Sequence, residues 1–186
     1  KNISSASYDL VFDLNFDDEP ESVQNYEGIS PETLLILGAV KIQLQRHIPA
    51  ALRQQVIGIN ALPSFLGRRT LEACTLNAAV NSIALTEAGW EKVHFSESRI
   101  GMITPRIICM IINEAYFTLQ EGTASREDID KGMKLGTAYP FGPFEWCAKI
   151  GIINVYEVLQ AMASDTNDER YKICNLLKTE YLNARY

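Results

Sequence analysis

Arg106-Ile107-Ile108-Cys109-Met110-Ile111-Ile112-Asn113-Glu114-Ala115-Tyr116-Phe117-Thr118-Leu119-Gln120 is the stretch on which the reading of the fold turns. Its first two turns carry apolar residues almost all the way round, as a helix buried in a bundle does. Gly122 stands just past its end, where a left-handed residue closes a helix. Working outward, Ser125-Arg126-Glu127-Asp128 forms a capping box, with Asp where Glu is usual, and opens a helix that Gly136 closes. Tyr139-Pro140-Phe141-Gly142-Pro143 is a tight turn, and Pro143 suits the first position of the next helix. Gly151 interrupts that helix before an amphipathic run over residues 152–163, and an acidic loop at 165–168 leads to a last helix through Leu176 and Leu177.

Before residue 100 the period changes from helical to strand-like. Residues 8–16 alternate, with Tyr8, Leu10, Phe12, Leu14 and Phe16 on one face and Asp9, Asp13 and Asn15 on the other. The acidic residues from Asp17 to Glu21, with Pro20 among them, stop this strand. Residues 34–40 are a continuous apolar run, suited to a strand covered on both faces. Residues 55–59 are a third strand and 71–76 a fourth. A helix with Asn77 as its N-cap then runs to Ala88, and 93–95 form one more short strand. Strands alternating with helices indicate an α/β layer, so the chain reads as α/β over residues 1–98 and all-α over 99–186.

Composition bounds the function. The net charge is −6 and the basic residues are scattered, which excludes nucleic acid and an anionic membrane surface as expected partners. No apolar run reaches the roughly 18 residues needed to cross a bilayer. Cys74, Cys109, Cys147 and Cys174 form no CxxC pair, so they read as reduced core residues of a cytoplasmic protein. The histidines, His47 and His94, read as surface or half-buried side chains.

Three motifs carry a resemblance. Arg99-Ile100-Gly101-Met102-Ile103-Thr104-Pro105-Arg106 followed by Asn113-Glu114-Ala115 is the first. Glu121-Gly122-Thr123-Ala124-Ser125-Arg126-Glu127-Asp128-Ile129-Asp130 is the second. Met133-Lys134-Leu135-Gly136 with Tyr139-Pro140-Phe141-Gly142-Pro143-Phe144-Glu145 is the third. In order and spacing they are similar to the C-terminal domain of the 3-hydroxyacyl-CoA (3-hydroxybutyryl-CoA) dehydrogenases. More faintly, Asp9-Leu10-Val11-Phe12-Asp13, residues 34–40, Val56-Ile57-Gly58-Ile59-Asn60 and Leu71-Glu72-Ala73 resemble successive strands of that family's NAD-binding domain. The resemblance implies a partial Rossmann-like sheet lacking its first βαβ unit, then a helical-bundle C-terminal domain that makes a homodimer. A chain that is part of a longer polypeptide is a further alternative.

The family oxidises 3-hydroxyacyl-CoA to 3-oxoacyl-CoA with NAD, in fatty-acid and butanoate metabolism. A histidine takes the hydroxyl proton there and a glutamate orients it. The resemblance places Glu72 at the glutamate and Asn60, twelve positions earlier, at the histidine. It places Asp13 at a cofactor-binding position. An amide cannot take up and release a proton near neutral pH, and loss of a general base costs on the order of 10²–10⁴ in rate. Pro105 stands where the family has a substrate-contacting asparagine, and Gly38-Ala39-Val40 where it has Asn-Thr-Ser. No two glycines are separated by a single residue, so G-x-G-x-x-G is impossible and NAD binding is in doubt. Glu72 reads as a surviving catalytic residue or a strand-end carboxylate, and Asn60 as a thioester-carbonyl donor or a turn residue. Arg68 and Arg69 read as contacts for a CoA phosphate or a solvated pair. Two functions compete: a catalytically impaired dehydrogenase, and a non-catalytic dimerising or acyl-CoA-binding scaffold.

Overall fold

The computed structural model describes residues 8–77 and 82–185, in two compact units that divide between Met102 and Ile103. The first unit is built on one five-stranded sheet in the order β1 (Leu10–Asp13), β2 (Leu34–Gly38), β3 (Val56–Ile59), β4 (Thr70–Thr75) and β5 (Lys92–Ser96). The first three strands run parallel, β4 runs antiparallel to β3, and β5 is parallel to β4. Residues 35–40 are all buried, as the unbroken apolar run demands of an interior strand. One face of the sheet, with Ile36, Ile57, Ile59, Leu71 and Ala73, packs on Leu85 of the short helix α2 (Ile83–Glu87). The helix α1 (Leu44–His47) places the fully buried Leu44 under Gly58, where an added Cβ would lie 2.7 Å from its side chain.

Two expectations for this unit change. The strand over 8–16 shortens to Leu10–Asp13, because Asp13 Oδ1 accepts the Asn15 amide at 3.1 Å and turns the chain. Only part of its apolar face is covered: Phe16 is fully buried, but Tyr8, Phe12 and Leu14 are 48%, 43% and 47% exposed, since β1 lies at the edge of the described sheet. The helix expected from Asn77 to Ala88 is described only over Ile83–Glu87, and 78–81 lie outside the described residues. The described helix follows Ser82, and the residues that Asn77 was expected to cap lie outside the described ones. The Asn77 amide group is engaged with Gln54 and its backbone N–H donates to Thr75 Oγ1 at 3.1 Å.

The second unit is all-helical: α3 (Thr104–Gln120), α4 (Arg126–Thr137), α5 (Pro143–Ile150), α6 (Ile152–Thr166) and α7 (Asn175–Arg185). The central α3 packs against α5, α6 and α7, burying Cys109, Ile112 and Tyr116. Gly122 takes φ +71°, Ser125 Oγ accepts the Asp128 amide at 3.2 Å, and Pro143 opens α5. Gly136 does not close α4. The helix runs one residue further and ends on Ala138, which takes the left-handed turn at φ 55°. Among the described residues no helix is long and apolar enough to cross a membrane, and all four cysteines are free and buried.

Candidate functional site

The chain leaves β3 at Asn60 and returns antiparallel through β4, which sets Asn60 opposite Glu72. The Asn60 N–H donates to the Glu72 carbonyl at 2.9 Å, a main-chain bond that fixes the pair whatever their side chains. The side chains also meet: Asn60 Nδ2 lies 3.4 Å from Glu72 Oε2. Asn60 Oδ1 accepts the Leu62 amide at 3.3 Å, so this asparagine, 1% exposed, is both a turn former and a partner of Glu72. The two sequence readings of Asn60 are thus compatible, and one amide hydrogen is left over for a ligand.

Ser64 at φ 73° bends the connection back, and its carbonyl accepts Arg68 Nε at 3.3 Å. Arg68 lies 4.5 Å over the Phe65 ring. Burial lowers its proton affinity while the charge of Glu72 restores part of it, so Arg68 belongs electrostatically to Glu72. Arg69 points away and pairs with Glu91 at 3.4 Å on an exposed surface. The two arginines, adjacent in sequence, are thus separated by the register of the turn.

Asp13 is engaged inside the unit. Its Oδ1 holds the Asn15 amide and its Oδ2 accepts Ser22 Oγ at 3.1 Å and Tyr26 Oη at 2.7 Å. Burial and this carboxylate together raise the pKa of Tyr26. Beyond β2, the amides of Val40 and Lys41 donate to Asp17 at 2.8 and 2.9 Å. Burial pushes Asp17 up to about 6, against the pull of these two amides and of Lys41. Gly38 is obligatory, since a Cβ would lie 2.6 Å from the Leu14 carbonyl oxygen. The residues described here do not fit a dinucleotide's pyrophosphate: the amides after β2 are spent on Asp17, and closely spaced glycines are missing from the sequence.

In the helical unit the motif residues hold one another. Asp130, buried, accepts the Phe144 amide at 2.8 Å and the Glu145 amide at 3.2 Å, closing the N-terminus of α5. Glu145 Oε2 accepts the Gly142 amide at 2.9 Å and Oε1 accepts Lys134 Nζ at 2.5 Å. Asn113, fully buried, donates to the Lys172 carbonyl at 2.9 Å and accepts the Cys174 amide at 2.9 Å. Pro105 is buried in the first turn of α3, and the Arg106 guanidinium stacks 5.6 Å over Tyr171.

Residues 101–186 match the model of the 3-hydroxyacyl-CoA dehydrogenase C-terminal domain. Over those residues the chain carries the C-terminal domain of the 3-hydroxyacyl-CoA dehydrogenase family. It is 43% identical over 82 residues to the 3-hydroxyadipyl-CoA dehydrogenase of Escherichia coli, a match covering 44% of this chain and 17% of that one. To the 3-hydroxybutyryl-CoA dehydrogenase of Bradyrhizobium diazoefficiens it is 29% identical over 168 residues, 84% of this chain and 55% of the relative. The crystal structure of (S)-3-hydroxybutyryl-CoA dehydrogenase from Ralstonia eutropha is similar over 96% of this chain and 66% of that one, with a TM-score of 0.75 and 26% identity. The chain thus spans about half the length of this Bradyrhizobium relative, and both its layers, sheet and helical region, follow the fold of the 3-hydroxyacyl-CoA dehydrogenases.

Proposed function

We propose that this chain is a 3-hydroxyacyl-CoA dehydrogenase-like protein whose NAD-dependent oxidation of 3-hydroxyacyl-CoA to 3-oxoacyl-CoA is impaired. The observation that carries the reading is the Asn60–Glu72 pair, with an amide 3.4 Å from the carboxylate at the position where the resemblance expects the base. Glu72 can still orient a donor, and Asn60 can still offer one amide hydrogen to a thioester carbonyl. Neither supplies proton uptake near neutral pH, so the rate falls by on the order of 10²–10⁴. Measuring NADH oxidation with acetoacetyl-CoA tests this, and turnover within tenfold of an ordinary family enzyme refutes the impairment.

A second reading, a dimerising or acyl-CoA-binding scaffold without catalysis, is favoured by the helical unit. An apolar groove of about 290 Å³ opens between α3, α4 and α5, lined by Met110, Ile111, Ala115, Ile129, Met133 and Pro143. Ile103 and Ile107, at 43% and 50% exposure, extend the apolar face of α3. In this reading the groove is covered by a second copy. Separate calorimetric titrations with NADH and acetoacetyl-CoA, with sedimentation for the dimer, separate the two: binding of NADH favours the enzyme, and a dimer that binds no NADH favours the scaffold.

A further inference from the structure

A second cavity of the helical unit carries charges that the sequence motifs do not explain. It encloses about 530 Å³ between α3, α5, the start of α6 and α7, and all its lining residues belong to that unit. Two of its lining side chains are charged, one of each sign: Arg126, the first residue of α4, and Glu180 on α7. They form an ion pair along the wall. The pair is fixed from inside. Glu180 Oε2 accepts Tyr116 Oη at 2.8 Å, and the Arg126 guanidinium lies 5.2 Å over the Tyr116 ring and 4.6 Å over that of Phe144. Burial works against the charge on Arg126, but the hydrogen bond with Tyr116 and the charge of Glu180 outweigh it. Burial also raises the pKa of Tyr116 and pushes the Cys147 thiol up to about 11, so both line the cavity as neutral groups. The cavity is therefore neutral overall, with a fixed separation of charge.

The ion pair exhausts neither partner. The side chains of Arg126 and Glu180 are 38% and 32% exposed, so a ligand can reach both. Among the described residues, Glu180 and Tyr116 take two of the five guanidinium donors. Each carboxylate oxygen of Glu180 accepts one bond and keeps a second lone pair. A ligand with only a carboxylate would gain Arg126 but face Glu180. One with only an ammonium would gain Glu180 but face Arg126, so a single charge meets attraction and repulsion at similar range. A ligand bearing both charges escapes the conflict by lying antiparallel to the pair. Phe144 and Ile152 supply apolar surface for the rest of it. We propose that this cavity binds a small zwitterion, an α-amino acid with an apolar side chain, its carboxylate on Arg126 and its ammonium on Glu180. The site goes beyond the dehydrogenase reading and holds whether or not the Asn60–Glu72 pair supports turnover.

Calorimetry on the 186-residue chain with leucine, 4-methylpentanoate and 3-methylbutylamine tests this. The three ligands share a branched body; the second lacks the ammonium and the third lacks the carboxylate. Leucine is expected to bind about tenfold more tightly than either analogue, the scale of one net hydrogen bond. Equal binding of the three, or no binding of leucine, overturns the proposal, and this comparison needs no variant. Glu180→Gln keeps an acceptor for Tyr116 and removes the negative charge. In it leucine should lose its advantage over 4-methylpentanoate and keep its advantage over 3-methylbutylamine. Leucine that retains its full advantage over 4-methylpentanoate in Glu180→Gln overturns the role of the pair. Leucine that leaves the Phe144 and Ile152 amide resonances of the unaltered chain unshifted binds elsewhere, which overturns the site.

Discussion

Asp130 caps the helix that begins at Pro143: its Oδ1 accepts the Phe144 amide at 2.8 Å, and its Oδ2 accepts the next amide. Two sequence motifs that look separate, one ending at Asp130 and one beginning at Tyr139, are therefore halves of a single joint between α4 and α5. A carboxylate at a helix N-terminus gains from both the unpaired amides and the helix dipole. Asp130→Ala is expected to lower stability by about 1–2 kcal/mol, and Asp130→Asn by less, as read from urea unfolding midpoints. Equal midpoints for the alanine variant and the original chain would contradict the cap.

Gly142 is the other side of that joint. A Cβ there would lie 2.4 Å from the Asp130 Cβ and closer still to its carboxylate, so no side chain fits while the cap is made. Gly142→Ala should cost about 1–3 kcal/mol through overpacking. Because both substitutions break the same contact, the double variant Asp130→Ala with Gly142→Ala should be less destabilised than the sum. Strict additivity in thermal melts would show that the two act independently.

Asp17 makes stability depend on pH in an uncommon direction for a carboxylate. Its folded pKa is about 6 against an ordinary 3.8, so the folded chain holds this proton more tightly than the unfolded one. The contribution is fully present below the ordinary value and is lost as pH rises through about 6. Unfolding free energies measured from pH 4 to pH 7 should fall by on the order of 1–3 kcal/mol from this group, and Asp17→Asn should flatten that part of the curve. A variant curve with the same slope would remove Asp17 as its source.

Asn60 combines burial with a structural bond, so its loss should be felt even without ligand. Asn60→Leu leaves the Leu62 amide without its acceptor and removes the contact to Glu72. A cost of about 1–3 kcal/mol follows from an unpaired buried donor. Asn60→Asp keeps the acceptor and should cost less at low pH than at pH 8, where two carboxylates face each other; denaturant titrations at the two pH values check the order.

The fold was legible wherever period and punctuation agreed. The apolar run of residues 34–40 and the glycine and proline signals at Gly122, Pro143 and Gly151 all fell where the structure has them. Legibility failed where a tertiary bond overrode the local pattern. Alternation over residues 8–16 suggested a long strand, but Asp13 turns the chain, and Ala138 rather than Gly136 takes the left-handed end of α4. In the candidate site the spacing of Asn60 and Glu72 was readable, because a twelve-residue offset survives in one dimension. The register that sets β5 beside β4 was not, since it depends on which strand pairs with which, and the strand order is written in no single segment.

The main-chain bond from Asn60 to Glu72 has a consequence for how such a protein can change over time. Because backbone atoms hold the two positions face to face, a change of side chain at 60 costs stability without breaking the main-chain bond to its neighbour. A scaffold of this kind lets the side chain at one strand end vary by a single codon while the pairing of the strands survives.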